Sequence, residues 1–158
     1  VSKSDSLHFS KPVAIGLMIS IGIGLHNFGE GLAIGAAVGI GSIAFSTFLI
    51  VGFALHNTTE GIAIAAPMSR GKLMIGKLAI MGVIAGSPAI FGAWIGGFAY
   101  SPFTSVIFLA IGAGAIFQVI LVLLKWIQKE NDGNLSTLSI VSGFAIGMLV
   151  MYLTSILV

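Results

Sequence analysis

From Lys11 to Arg70 the chain reads KPVAIGLMISIGIGLHNFGEGLAIGAAVGIGSIAFSTFLIVGFALHNTTEGIAIAAPMSR, and between those two residues the only charges are Glu30 and Glu60. A helix that crosses a bilayer needs about 20 mostly apolar residues. The tract is long enough for two, and Gly39-Ile40-Gly41-Ser42 parts it near its middle. The remainder of the chain follows the same pattern, with no charge between Lys77 and Lys125 and none after Asp132. Further breaks stand at Pro67 to Lys72, at Tyr100-Ser101-Pro102 and at Lys125 to Asn134. The expectation is an all-α polytopic membrane bundle of five transmembrane helices, at 12–39, 43–67, 73–99, 103–124 and 136–158, forming one domain over 1–158.

Composition excludes several classes. Hydrophobic residues make up 57% of the 158 and charged residues only 8%, with a mean hydropathy of +1.12. A soluble domain carries about 25% charged residues to cover its surface, so a soluble globular enzyme is excluded. Disorder is excluded too, because 11 Phe among many Ile, Leu and Ala bury readily. A net charge of +2 is too small to point to nucleic acid. With no cysteine, neither a disulfide frame nor a thiolate metal site can form. The opening Val1 in place of Met suggests a fragment or processed chain that lacks upstream spans.

Five crossings put Lys3, Lys11, Arg70, Lys72, Lys77, Lys125 and Lys129 on one face, which is every basic residue in the chain. The excess of Lys and Arg marks the cytoplasmic side, so the N-terminal segment is expected inside and the C-terminus outside a cell membrane. Trp126 and Tyr100 fall at span ends, where amphipathic rings prefer the interface. Small residues recur every four positions at Gly16, Ser20 and Gly24, at Gly31, Gly35 and Gly39, and in the pairs Gly82 and Gly86, Gly92 and Gly96, Gly143 and Gly147. Such stripes let helices approach closely in lipid.

Two segments stand thirty residues apart near the middle of consecutive spans: His26-Asn27-Phe28-Gly29-Glu30-Gly31-Leu32-Ala33-Ile34 and His56-Asn57-Thr58-Thr59-Glu60-Gly61-Ile62-Ala63-Ile64. A glutamate at mid-bilayer costs about 2.5 kcal/mol or more, and here each comes with a histidine and an asparagine. Histidine and glutamate at i and i+4 project from one helix face, with asparagine on its flank. Antiparallel helices would bring His26 level with Glu60, and Glu30 level with His56. Two imidazoles, two carboxylates and two amide carbonyls then suit a borderline divalent ion such as zinc, iron(II) or manganese. Two carboxylates neutralise a dication, and binding should release protons. Interhelical hydrogen bonding alone explains a single buried polar residue better than it explains six in a duplicated pattern.

The pair HNxxEG-[LI]-A, written here as His26 to Ala33 and His56 to Ala63, resembles helices four and five of the ZIP family of divalent-metal transporters, and the likeness extends over the whole chain. The resemblance implies an eight-helix fold, a homodimer and passage of metal toward the cytosol. It implies one metal position at His26, Glu30 and Glu60, and a second at Asn27, Glu30, His56, Asn57 and Glu60. Two departures stand out. Gly29 and Thr59 occupy sites where many relatives have proline before the motif glutamate. Gly86-Ser87-Pro88 carries Ser87 where many prokaryotic relatives have glutamate, so the second position lacks a carboxylate.

The expected activity is transport of divalent transition metals, zinc foremost and iron or manganese also, with the metal as substrate and no catalytic cofactor. No GxxxxGK[ST] sequence and no loop long enough for a nucleotide domain occur, so no nucleotide is expected. A competing reading is an intramembrane metal-dependent hydrolase, against which stands the lack of H-E-x-x-H. Asp5 and His8 are expected in a solvated segment, Gln118 as an interhelical hydrogen bond, and Pro88 as a kink. Ser46 and Thr47 are candidates for an outer entrance, although hydroxyls in lipid usually bond their own backbone. Met18, Met74, Met81, Met148 and Met151 read as apolar filling.

Overall fold

A computed structural model of the chain describes residues 10–69, 75–99 and 101–156. These form five helices: α1 (Lys11–Gly39), α2 (Ile43–Ala65), α3 (Ile75–Phe98), α4 (Pro102–Glu130) and α5 (Leu138–Ser155). A single 3-10 turn, Ala66–Met68, continues α2, and no strand occurs among the described residues. Each of the five is long and apolar enough to cross a membrane. The chain is therefore a multi-pass membrane protein by helix length and composition. Asp5, His8, Lys3, Arg70, Lys72, Met74 and Tyr100, which the sequence reading used, lie outside the described residues.

Helix limits follow local chemistry. Pro12 and Pro102 stand in the first turns of α1 and α4, where a missing N–H removes no intrahelical bond. Gly41, at φ +76°, makes the turn between α1 and α2. Asp132 and Gly133 turn the chain after α4 with positive φ values of 49° and 85°. Two helix ends differ from the expected span limits. The fourth span does not stop at 124 but stays helical to Glu130, because no breaker precedes Asn131 and Lys125 to Glu130 are all compatible with helix. The fifth begins at Leu138 rather than 136, since Thr137 takes an extended conformation (φ −67°, ψ 146°) ahead of it. Pro88 lies inside α3 without ending it.

α1 is the central helix. It runs antiparallel to α2, with Gly16 against Ile64 and Glu30 against His56, and antiparallel to α4, with Gly22 against Val119 and Gly29 against Leu109. It runs parallel to α3, with Gly24 against Ala85 and Gly39 against Gly97. This register gathers Lys11, Lys77, Lys125 and Lys129 at one end of the bundle.

The tightest seam is α1 with α3. A Cβ on Gly31 or Gly35 would collide with the carbonyl oxygens of Ala89 and Ala93, and one on Gly92 or Gly96 with those of Phe28 and Leu32. Lipid tails are as apolar as side chains, so hydrophobic burial does little to join helices in a bilayer, and close backbone approach does more. Gly24 adds a local reason. Pro88 has no N–H to offer the carbonyl of Ile84, and a Cβ on Gly24 would stand 2.6 Å from that same oxygen. By contrast Gly82, Gly86, Gly143 and Gly147 face open space, so those stripes form no seam among the described residues.

An apolar core of Val13, Ile19, Ile23, Ile64, Met68, Met81, Ala85 and Val119 fills the interior toward the lysine-bearing end. α5 buries no residue and lies against α2. Between the core and the opposite end sit the two motif segments.

Candidate metal centre

His26 and Glu30 occupy successive turns of α1, and His56 and Glu60 successive turns of α2. All four line one open-sided cavity of about 530 Å³, walled elsewhere by apolar or small residues that include Phe53, Leu109, Gly112 and Met151. Both acids thus face the same space. Single ligand atoms of His26, His56 and Glu60 lie within 4.8 Å of one another. The imidazole centroids of His26 and His56 are 6.3 Å apart.

Glu30 links the two helices. It is only 6% exposed, and its Oε1 stands 2.5 Å from His56 Nε2 and 3.4 Å from His26 Nε2. Its Oε2 accepts a hydrogen bond from Asn57 Nδ2 at 3.3 Å. The approach of His56 to Glu30 is close in distance but completes no hydrogen bond, and both atoms remain unsatisfied.

The two asparagines are not equivalent. Asn27 is 3% exposed and donates from Nδ2 to the carbonyl of Ala85 on α3 at 3.1 Å. It is not among the residues that line the cavity. Asn27 thus uses its amide N–H on α3, which Gly24 and Gly31 bring close, while its Oδ1 stays without a partner. Asn57 acts on the site through Glu30 and is also absent from the cavity wall. Ser87 does not line it either.

Among the described residues, the buried side-chain polar atoms without a hydrogen-bond partner are Asn27 Oδ1, Glu30 Oε1, His56 Nε2, Asn57 Oδ1 and Glu60 Oε2. Every one belongs to the duplicated motif. Buried polar atoms are almost always paired, and an orphan costs about 1–3 kcal/mol. Three of them, on Glu30, His56 and Glu60, belong to residues of the cavity wall and form an electron-rich cradle, with nitrogen and oxygen donors suited to a cation.

The apolar wall was not legible as site. Phe53 meets His56 edge-on with centroids 5.6 Å apart, and a Cβ on Gly112 would stand 3.4 Å from the His26 Cα. Neither residue carries a sequence signal beyond its position in a span. Thr47 donates to its own backbone at Ile43 (2.9 Å) and Ser46 is buried, and neither lines the cavity. Gln118 borders a separate crevice between α1 and α4 with Met18, Gly22 and Leu25. No protein-family model, curated protein or solved structure matches the chain.

Proposed function

We propose that the chain carries divalent transition-metal ions, zinc foremost and iron or manganese also, across a cell membrane toward the cytoplasm. On this reading it is a ZIP-like transporter whose five helices correspond to helices four to eight of that fold, and the ZIP resemblance adds a homodimer. The observation that carries the reading is that every orphaned buried polar side-chain atom among the described residues lies on the paired His-Asn-x-x-Glu segments, and that three of them, on Glu30, His56 and Glu60, belong to residues lining one cavity between two apolar helices.

The chemistry follows from these residues. Zinc binds nitrogen at about 2.0–2.1 Å and oxygen at about 2.0–2.2 Å, so tetrahedral ligand atoms stand about 3.3 Å apart. The 4.8 Å limit around His26, His56 and Glu60 is then within a small rotamer adjustment of a binding geometry. Glu30 Oε1 faces the Nε2 atoms of both imidazoles, and an ion bound there would take ring nitrogens and carboxylate oxygens in their deprotonated forms. Glu30 and Glu60 together cancel the charge of a dication, which lowers its cost in a medium that cannot solvate it. Nitrogen and oxygen donors without thiolate bind and also release. The lysine-bearing end is the cytoplasmic one by the rule that basic residues stay inside.

The test is zinc uptake by proteoliposomes holding the full chain, beside hydrolysis of a lipid or peptide substrate. Uptake by the wild type and its loss in the double variant Glu30→Ala plus Glu60→Ala is the expected result. Uptake that survives both changes overturns the mechanism. Metal-dependent hydrolysis without uptake would establish the hydrolase instead.

A further inference from the structure

A second cavity, of about 320 Å³, lies between α2 and α5 and is lined by Gly52, Phe53, His56, Met151, Thr154 and Ser155. It shares Phe53, His56 and Met151 with the cavity of the metal centre. The two spaces therefore have part of their wall in common. One water's share of liquid volume is about 30 Å³, so the outer space is ample for a hydrated ion. On α2 it extends from His56 toward Gly52, and on α5 from Met151 toward Ser155, which is the direction away from the lysine-bearing end. Toward the lysines, Ile19, Ile23, Ile64, Met68, Met81 and Val119 fill the interior.

The lining has graded chemistry. Thr154 and Ser155 donate their hydroxyl protons to the carbonyls of Met151 (3.0 Å) and Tyr152 (2.8 Å) on their own helix. Their oxygen lone pairs are left as acceptors for a cation or for its water. Met151 follows, with the only sulfur on either wall among the described residues. A thioether is uncharged, polarisable and mobile over three rotatable bonds, and it favours soft ions over hard ones. His56 stands next, shared by both spaces.

We propose that ions reach the metal centre through the crevice between α2 and α5, and that the Met151 thioether is a transient ligand at its inner mouth that biases selection toward softer divalent ions. This rests on the transport reading above. Passing the outer hydroxyls, the ion sheds water against sulfur before the imidazole and carboxylates take it. A hard ion gains little from sulfur and pays the full dehydration cost at that step.

The chain contains no cysteine, so single cysteines can be introduced without background. Full-length Met151→Cys and Thr154→Cys in proteoliposomes should react with a membrane-impermeant methanethiosulfonate reagent, and cadmium should protect the Met151→Cys variant. Leu149→Cys, exposed on the same helix but lining neither cavity, should not react. In competition uptake, Met151→Leu should lower the cadmium-to-manganese ratio by at least about threefold, while Met148→Leu leaves it unchanged. Active transport with an unreactive Met151→Cys variant overturns the route. An unchanged ratio in Met151→Leu overturns the selecting role. A wild type that takes up neither ion defeats the transport reading itself, and the inference with it.

Discussion

Replacing Glu30 with glutamine keeps shape and hydrogen-bonding capacity while removing one formal charge from the centre of the cradle. The loss can be bounded. An ion bound by His26 and His56 lies within about 4 Å of the Glu30 carboxylate, where a unit pair is worth about 1 kcal/mol in water and about 4 kcal/mol at an effective dielectric of about 20. For a dication those figures double, to about 2 and about 8 kcal/mol. Even the water-like limit weakens affinity roughly 30-fold, at about 1.4 kcal/mol per decade. Thermal unfolding in detergent reads this directly. At a zinc concentration of about 100 times Kd, the wild type gains about 2.7 kcal/mol, and a 30-fold weaker variant gains about 0.9 kcal/mol at the same zinc. The zinc-induced rise in Tm should therefore shrink to about a third or vanish, and uptake should fall with it. A Glu30→Gln protein whose zinc-induced shift equals that of the wild type would refute the placement of the ion between the two helices.

Three further outcomes are expected. Gly92→Leu forces a side chain into the Phe28 carbonyl and should destabilise the α1–α3 pair by about 3 kcal/mol or more, whereas Gly143→Leu, in open space, should leave the unfolding midpoint unchanged. Asn57→Ala removes the donor to Glu30 Oε2 and should weaken zinc binding, by about 1–3 kcal/mol in a titration, without abolishing expression. A chelator should erase the zinc-dependent thermal shift, and added zinc should restore it. A shift that persists in chelator would mean that the stabilising species is not a metal.

The architecture was legible because charge is so scarce. The gaps between Lys11, Arg70, Lys77, Lys125 and Asp132, with the breaks inside them, suit five crossings, and α1 to α5 follow them with α3 and α4 running past the lysines at their ends. The facing of Glu30 and His56 was legible as well, from two copies of one spacing on antiparallel neighbours. What sequence could not separate were positions of equal chemistry in different surroundings. Asn27 and Asn57 hold the same place in their motifs, yet one reaches α3 and the other reaches Glu30, because α1 is covered by α3 and α2 is not. Gly92 and Gly143 sit in identical four-residue patterns, and only the first meets a backbone. Met151 read as filling because a methionine in a span carries no sign of the cavity it borders.

The apolar core beside the site has an electrical consequence. If water reaches His56 and Glu60 from one end while Ile19, Ile23, Met68 and Val119 keep the other end dry, the transmembrane voltage falls across that dry layer rather than the full thickness of the bilayer. A single charge crossing the whole drop exchanges about 2.3 kcal/mol per 100 mV, and a dication about 4.6 kcal/mol. If the chain transports ions as proposed, that layer would concentrate the driving field at the one step where its side chains part.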